Sequence, residues 1–110
     1  MGRFDGILGS LIGTQMAVII DDLIERQGGV QGLVQQLHAK GLGEAVKTWV
    51  GTGFNTSLTI QQVQQAFGAG TIGELAAKAG MSPQELTQKL SYMLPQAVDR
   101  LTPGGLVPKY

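Results

Sequence analysis

Few side chains in this sequence have the type and spacing for chemistry. His38 is the one histidine of the 110-residue chain, and there is no cysteine. A multi-histidine or thiolate metal site and a thiol nucleophile are therefore excluded. His38 falls near the end of a predicted helix, where a cation favours the helix dipole. No Ser or Asp stands locally placed to suggest a triad. Asp21, Asp22 and Glu25 form a small acidic cluster, best read as a solvated face, and the paired carboxylates of a hydrolase would need a pocket that the sequence does not locate. The run Gly51-Thr52-Gly53 lacks the P-loop lysine and follows a predicted helix rather than a strand, so it reads as a turn and not as a phosphate cradle. No catalytic residue, metal ligand or cofactor is expected, and the chain reads as non-enzymatic.

The charge balance narrows the partners. Eight Lys and Arg offset eight Asp and Glu, and charged residues make up 15% of the chain, against about 25% in typical domains. A neutral chain is a poor non-specific binder of polyanions. With 43% apolar residues it has the material for a core and no need to be disordered. Its length suits one small domain.

The elements that must carry any function are helical throughout. Phe4, Ile7, Leu8, Leu11, Ile12, Met16, Ile19 and Leu23 recur at steps of three and four, which predicts an amphipathic helix. Gly2, Gly6, Gly9, Gly13 and Ala17 cluster on roughly its opposite side. Three interior glycines would cost about 2–3 kcal/mol in helix propensity, and close approach of another helix along the small face would offset that. Residues 1–27 are thus expected to form a Gly-rich helix, a candidate oligomerisation element with Gly6, Gly9, Gly13 and Ala17 as contacts. Residues 28–110 would form a compact helical domain. The uncharged stretch from Gly6 to Ile20 is shorter than the ~20 apolar residues of a membrane span. No basic start or A-x-A site marks a secretory signal, so the expected localisation is cytoplasmic.

Gly28-Gly29 ends the first helix. Val30, Leu33, Val34 and Leu37 mark a second that stops at Gly41, and Leu42, Ala45, Val46, Trp49 and Val50 a third that stops at Gly51. Three capping boxes follow, Thr59 with Gln62, Thr71 with Glu74 and Ser82 with Glu85, the last with Pro83 at the first helical position. They predict helices over 60–67, 72–79 and 83–93, with Pro95 making a break or kink near Leu94 and a short segment over 96–101 resuming helix before Pro103. No period-two strand pattern is present. The expected fold is all-α, with six or seven short helices.

Residues 72–93 outline a helix-turn-helix, with Gly80 making the turn, Ala76 allowing close crossing, and Leu75, Met81 and Leu86 facing the core. The second helix would then present Gln84, Thr87, Gln88 and Ser91 to a nucleic acid, and Gln pairs with adenine edges. Over residues 58–102, however, Lys78, Lys89 and Arg100 are balanced by Glu74, Glu85 and Asp99. DNA binding is therefore the alternative, and self-association through the first helix, giving a homo-oligomer, is the leading expectation.

The start Met1-Gly2-Arg3-Phe4-Asp5-Gly6-Ile7-Leu8-Gly9, the run Gly28-Gly29-Val30-Gln31-Gly32-Leu33, the segment Gly41-Leu42-Gly43 through Thr48-Trp49-Val50-Gly51-Thr52-Gly53 with Asn55, and the tail Leu94-Pro95-Gln96-Ala97-Val98-Asp99-Arg100-Leu101-Thr102-Pro103-Gly104-Gly105 together resemble the YidB-like family of bacterial proteins. Phe54, Ser57 and Leu58 depart from the family pattern, which favours a Pro after the Asn. The resemblance spans nearly the whole chain. It implies an all-α fold with a homeodomain-like, helix-turn-helix C-terminal half, and it implies no activity and no catalytic residue. Trp49 is expected to be a core anchor with its N–H bonded locally. Asp99 and Thr102 are expected to shape the last turns.

Overall fold

The computed structural model describes residues 13–50 and 56–102. Five helices account for almost all of them: α1 (Thr14–Arg26), α2 (Gly29–Ala39), α3 (Gly43–Val50), α4 (Ile60–Ala79) and α5 (Pro83–Leu101). No strand occurs among the described residues. The principal contacts close a ring, α1 on α2, α2 on α3, α3 on α5, α5 on α4 and α4 back on α1, with the α4–α5 pair the most extensive.

The apolar stripes read from the sequence supply the core. In α1, Met16, Ala17, Ile19, Ile20, Leu23 and Ile24 are buried, and they join Val30, Leu33 and Leu37 of α2, Val46 and Trp49 of α3, and the inner faces of α4 and α5 in one cluster. That cluster runs across the expected boundary at 27/28, so α1 is a wall of the same core as the rest. Trp49 is fully buried. Its indole Nε1–H donates to the carbonyl oxygen of Thr56 at 2.6 Å, while the Thr56 N–H donates to the Thr48 hydroxyl at 3.0 Å. Both bonds tie Thr56 to α3, and the first satisfies the one donor of the buried indole.

Three expectations need correction. The helix over the first 24 residues does not run through Gly13, which has φ 89° and ψ 152° and stands outside α1 as its N-cap. That region is open essentially to glycine alone. Gly13 is therefore the residue that stops helical geometry, and not an interior glycine of a helix. The helices expected over 60–67 and 72–79 are both present as the two limbs of α4, which meet without an intervening loop at Gly68, whose φ 85° and ψ 153° are non-helical, so the second limb starts earlier than expected. Thr71 accordingly lies inside α4 and caps nothing. Of the break or kink expected near Leu94, the break does not occur: α5 runs through Pro95 from Pro83 to Leu101, and residues 96–101 are helical as expected. With α4 counted as one element, the described residues hold five helices, slightly fewer than the six or seven expected for the whole chain.

The other two capping residues stand where expected. Thr59 and Gln62 make the reciprocal box, each backbone N–H donating to the other's side chain at 2.9 and 3.0 Å. Ser82 accepts from the Glu85 N–H at 3.1 Å with Pro83 at the first helical position. Gly80, at φ 69° and ψ 31°, closes α4 and makes the turn into α5. The run Gly51-Thr52-Gly53, expected as a turn, lies outside the described residues, as does Asn55.

Candidate functional site

The first limb of α4 has two faces. Val63, Ala66 and Phe67 are buried, and Gln61, Gln64 and Gln65 are exposed. Because Gly68 redirects the second limb, a groove opens where the two limbs meet the start of α5. Its volume is about 580 Å³, and Gln61, Gln64, Gln65, Ala69, Ile72 and Pro83 line it. That size falls within the ~300–1,000 Å³ range of ligand pockets. None of the lining side chains is ionisable, so the groove offers amide donors and acceptors over an apolar floor.

Sequence reading missed these residues. Their signal was present in Gln61, Gln64 and Gln65, spaced one helical turn apart opposite the apolar stripe of the same helix. What it lacked was the bend at Gly68, which converts a solvated face into one wall of a groove.

Glu74 and Lys78 of α4 are engaged with α1, whereas Lys89 on α5 makes no ion pair among the described residues. Lys78 Nζ donates to Asp22 Oδ2 at 2.8 Å. Arg26 donates through Nε to Asp22 Oδ1 at 2.9 Å and through Nη1 to Glu74 Oε1 at 2.7 Å. The Lys78 hydrogen bond holds the Asp22 carboxyl below its ordinary range; burial works the other way, and Arg26 adds to the lowering. The Glu74 and Asp22 hydrogen bonds in turn raise Arg26. Gln15 Nε2 also donates to the carbonyl of Ala79 at 2.6 Å. As α1 steps from Gln15 to Asp22 to Arg26, its partners on α4 step back from Ala79 to Lys78 to Glu74, so the two helices run in opposite senses. Glu74 therefore serves as an ion-pair partner and not as half of a capping box. The acidic cluster divides too: Glu25 is exposed, Asp22 is bound as above, and Asp21 is buried at 4% exposure, so it is not a solvated face.

The expected contact residues are distributed unevenly. Gly6 and Gly9 lie outside the described residues. Gly13 is exposed, and Ala17 is fully buried in the chain's own core. On the recognition-helix position, Gln84 and Gln88 are exposed together with Glu85. Thr87, expected to face outward, is fully buried, and its hydroxyl donates to the Pro83 carbonyl at 2.6 Å. Ser91 is half-buried, and its hydroxyl donates to the Gln88 carbonyl. A helix period of 3.6 places Thr87 beside Leu86 and Leu90 on the inner face, a reason available in the sequence.

His38 is exposed in the last turn of α2. Among the described residues, no three or more His, Asp or Glu stand together in a group that would hold a metal ion. No helix there is long and apolar enough to cross a membrane.

A family model described as YidB-like protein matches residues 1–110. The uncharacterized protein YidB of Escherichia coli K12 is 31% identical over 112 residues, an alignment that covers 97% of this chain and 83% of that one. The solved structure of a homeodomain-like protein of unknown function from Shigella flexneri superposes with a TM-score of 0.75 at 29% identity, over 93% of this chain and 80% of that one. The expected all-α, homeodomain-like architecture is that of a solved relative, and the chain belongs to the YidB-like family.

Proposed function

We propose that this chain is a non-enzymatic protein-interaction module that receives its partner in the groove between the two limbs of α4 and the start of α5. The observation that carries this reading is a groove of about 580 Å³ whose six lining residues bear no charge. An uncharged wall of amides suits a protein surface, which can be desolvated there without stranding an ion. No acid–base pair or nucleophile lines it, which supports a binding role over a catalytic one.

Self-association is one form of this activity. Its expected surface on the first helix loses Ala17 to the core, leaving Gly6, Gly9 and Gly13 as its candidates. The homeodomain-like fold makes nucleic acid the second reading, although fold alone assigns no function. The side chains weigh against it. Lys78 and Arg26 are spent on Asp22 and Glu74, and Glu85 is exposed beside Gln84 and Gln88, where a phosphate would be repelled.

The test is site-specific photo-crosslinking in cells that make the full chain. A photoreactive residue replaces exposed Gln64, and a control replaces exposed Lys47 on α3. A discrete protein adduct at 64, absent at 47, is expected, and an adduct of twice the chain's mass would identify a second copy. Nucleic acid adducts at 64, or no adduct, would overturn the reading.

A further inference from the structure

The buried side chains of α4 repeat across Gly68. Val63, Ala66 and Phe67 are buried on the first limb, and Ile72, Leu75 and Ala76 on the second. Each residue of the second set stands nine positions after its counterpart in the first, about two and a half turns of an α-helix. In a straight α4 the two sets would therefore face opposite sides. They reach one core because Gly68, at φ 85° and ψ 153°, interrupts the helical path between them. Those angles are open essentially to glycine alone. A Cβ at position 68 would meet nothing within 4 Å, so conformation, and not space, is what demands glycine there.

We propose that Gly68 is the hinge of a reciprocal exchange, in which two copies of this chain swap the second limb of α4 together with α5 and form a dimer with a straight α4. Straightening turns Ile72, Leu75 and Ala76 away from the chain's own α1, so they need another core. A second copy supplies one of the right shape, because its own second limb and α5 have left in exchange. The ties of the exchanged segment are remade between copies: Glu74 and Lys78 to Arg26 and Asp22, Ala79 to Gln15, Ser91 to Leu58, and α5 to α3. The backbone change is concentrated at residue 68. A hinge this short, held at unfavourable angles in the closed form, is the arrangement that invites exchange. The cost is the entropy of association, offset in part by rejoining the helical hydrogen-bond ladder that a non-helical residue breaks.

The exchange needs no ligand in the groove, but it removes the groove. Gln61 and Gln65 of the first limb, and Ala69 and Ile72 of the second, line it. In a straight helix these four fall along one face and form no opposed walls. The bent chain with its groove and the exchanged dimer therefore exclude each other.

The chain has no cysteine, so single cysteines report which copy supplies each side of the α1–α4 contact. One chain carries Asp22→Cys and another Lys78→Cys. A short bis-maleimide bridges these positions, whose native side chains meet at 2.8 Å. The two chains are mixed, unfolded in urea and refolded together at high concentration, once with Gly68 and once with Gly68→Ala. Gly70→Ala, which adds a methyl group to open space at helical backbone, is the control.

With Gly68→Ala, light scattering is expected to give twice the chain's mass, and the bis-maleimide a covalent dimer joining position 22 of one chain to position 78 of the other. The yield of that adduct is expected to exceed the yields from the parent and from Gly70→Ala by about tenfold or more, as relief of strain at such angles gives. A Gly68→Ala dimer without the adduct would mean that the copies meet through another surface, and would overturn the proposal. A folded, monomeric Gly68→Ala chain, or equal yields from Gly68 and Gly68→Ala, would overturn it too. If Gly68→Ala loses the helical circular dichroism of the parent, the parent pair decides: the 22–78 adduct after refolding at high concentration upholds the exchange, and its absence overturns it.

Discussion

The N–H of Leu58 donates to the carbonyl oxygen of Ser91 at 3.0 Å. Ser91 is the residue whose carbonyl would receive the helical bond from position 95, and position 95 is Pro, inside α5. A proline in a helix interior leaves that acceptor orphaned and ordinarily kinks or ends the helix. Here the extended lead-in to α4 supplies the missing donor. Leu58 is itself buried at 4% exposure, so one pairing completes α5 and seats the start of α4 against it.

This pairing predicts slow amide hydrogen exchange at Leu58 although the residue lies outside every helix. In Pro95→Ala the helix regains its own donor to Ser91, and the Leu58 amide has to share its acceptor. Its protection is expected to drop in that variant relative to neighbouring core amides. Unchanged protection would mean that Leu58 is shielded by burial alone.

Asp22 predicts a specific acid response. Its folded pKa lies below the ordinary value, first because of the Lys78 hydrogen bond. A carboxyl depressed in the folded state contributes stability above its unfolded pKa of about 3.9, and that contribution is lost as pH falls through the folded value. Asp22→Asn should therefore lower the urea midpoint near neutral pH, and the difference from the parent should shrink as the pH falls below the unfolded carboxyl value. A double-mutant cycle of Asp22 with partly exposed Lys78 should give a coupling of about 0.2–1 kcal/mol.

Glycines separate by what surrounds them. A Cβ at Gly32 would collide with the backbone carbonyl of Gln27, whereas one at Gly70 or Gly73 would meet nothing within 4 Å. Gly70→Ala and Gly73→Ala should each raise stability by about 0.5–1 kcal/mol through helix propensity. Gly32→Ala should lower it, because Gln27 has to move and disturb the turn between α1 and α2. Thermal unfolding of the three variants checks the order.

Much of the fold was legible because it is written locally. Thr59 with Gln62, Ser82 with Pro83, and the apolar steps of α1 and α2 fix their helices through neighbours three or four residues away. The same holds for Trp49, whose bulk and single donor demanded burial and a nearby acceptor. What was not legible depended on distant partners. The proline at 95 looks like a break until the donor from Leu58, far away in sequence, is known. Thr71 and Glu74 match a capping box, yet Glu74 answers to Arg26 on another helix and the bend occurs at Gly68 instead. The groove escaped notice for the same reason: its glutamines were visible as a face, and only the backbone angle at Gly68 gives that face an opposite wall.

Ala17 offers a test of where the first described helix spends its small residues. It is fully buried within a cluster that draws on all five helices. Ala17→Leu should overpack that cluster and destabilise the chain by about 1–3 kcal/mol, measurable by urea unfolding. Had Ala17 faced a second copy, the substitution would instead leave unfolding at low protein concentration unchanged and shift only the mass in light scattering.

The balance of charge at the α4–α5 corner predicts how the chain behaves towards DNA. Affinity for a duplex rests largely on the release of counter-ions by Lys and Arg at phosphates. Lys78 is already paired to Asp22, Thr87 is buried, and the exposed start of α5 shows Gln84, Glu85 and Gln88. A titration against mixed-sequence duplex at low salt, where even non-specific binding is strongest, should show no saturable complex. Saturable binding that weakens steeply with salt, and is abolished by Gln84→Ala with Gln88→Ala, would contradict this. It would require cationic side chains outside these ion pairs, such as Lys89 and Arg100 on α5, to supply the attraction.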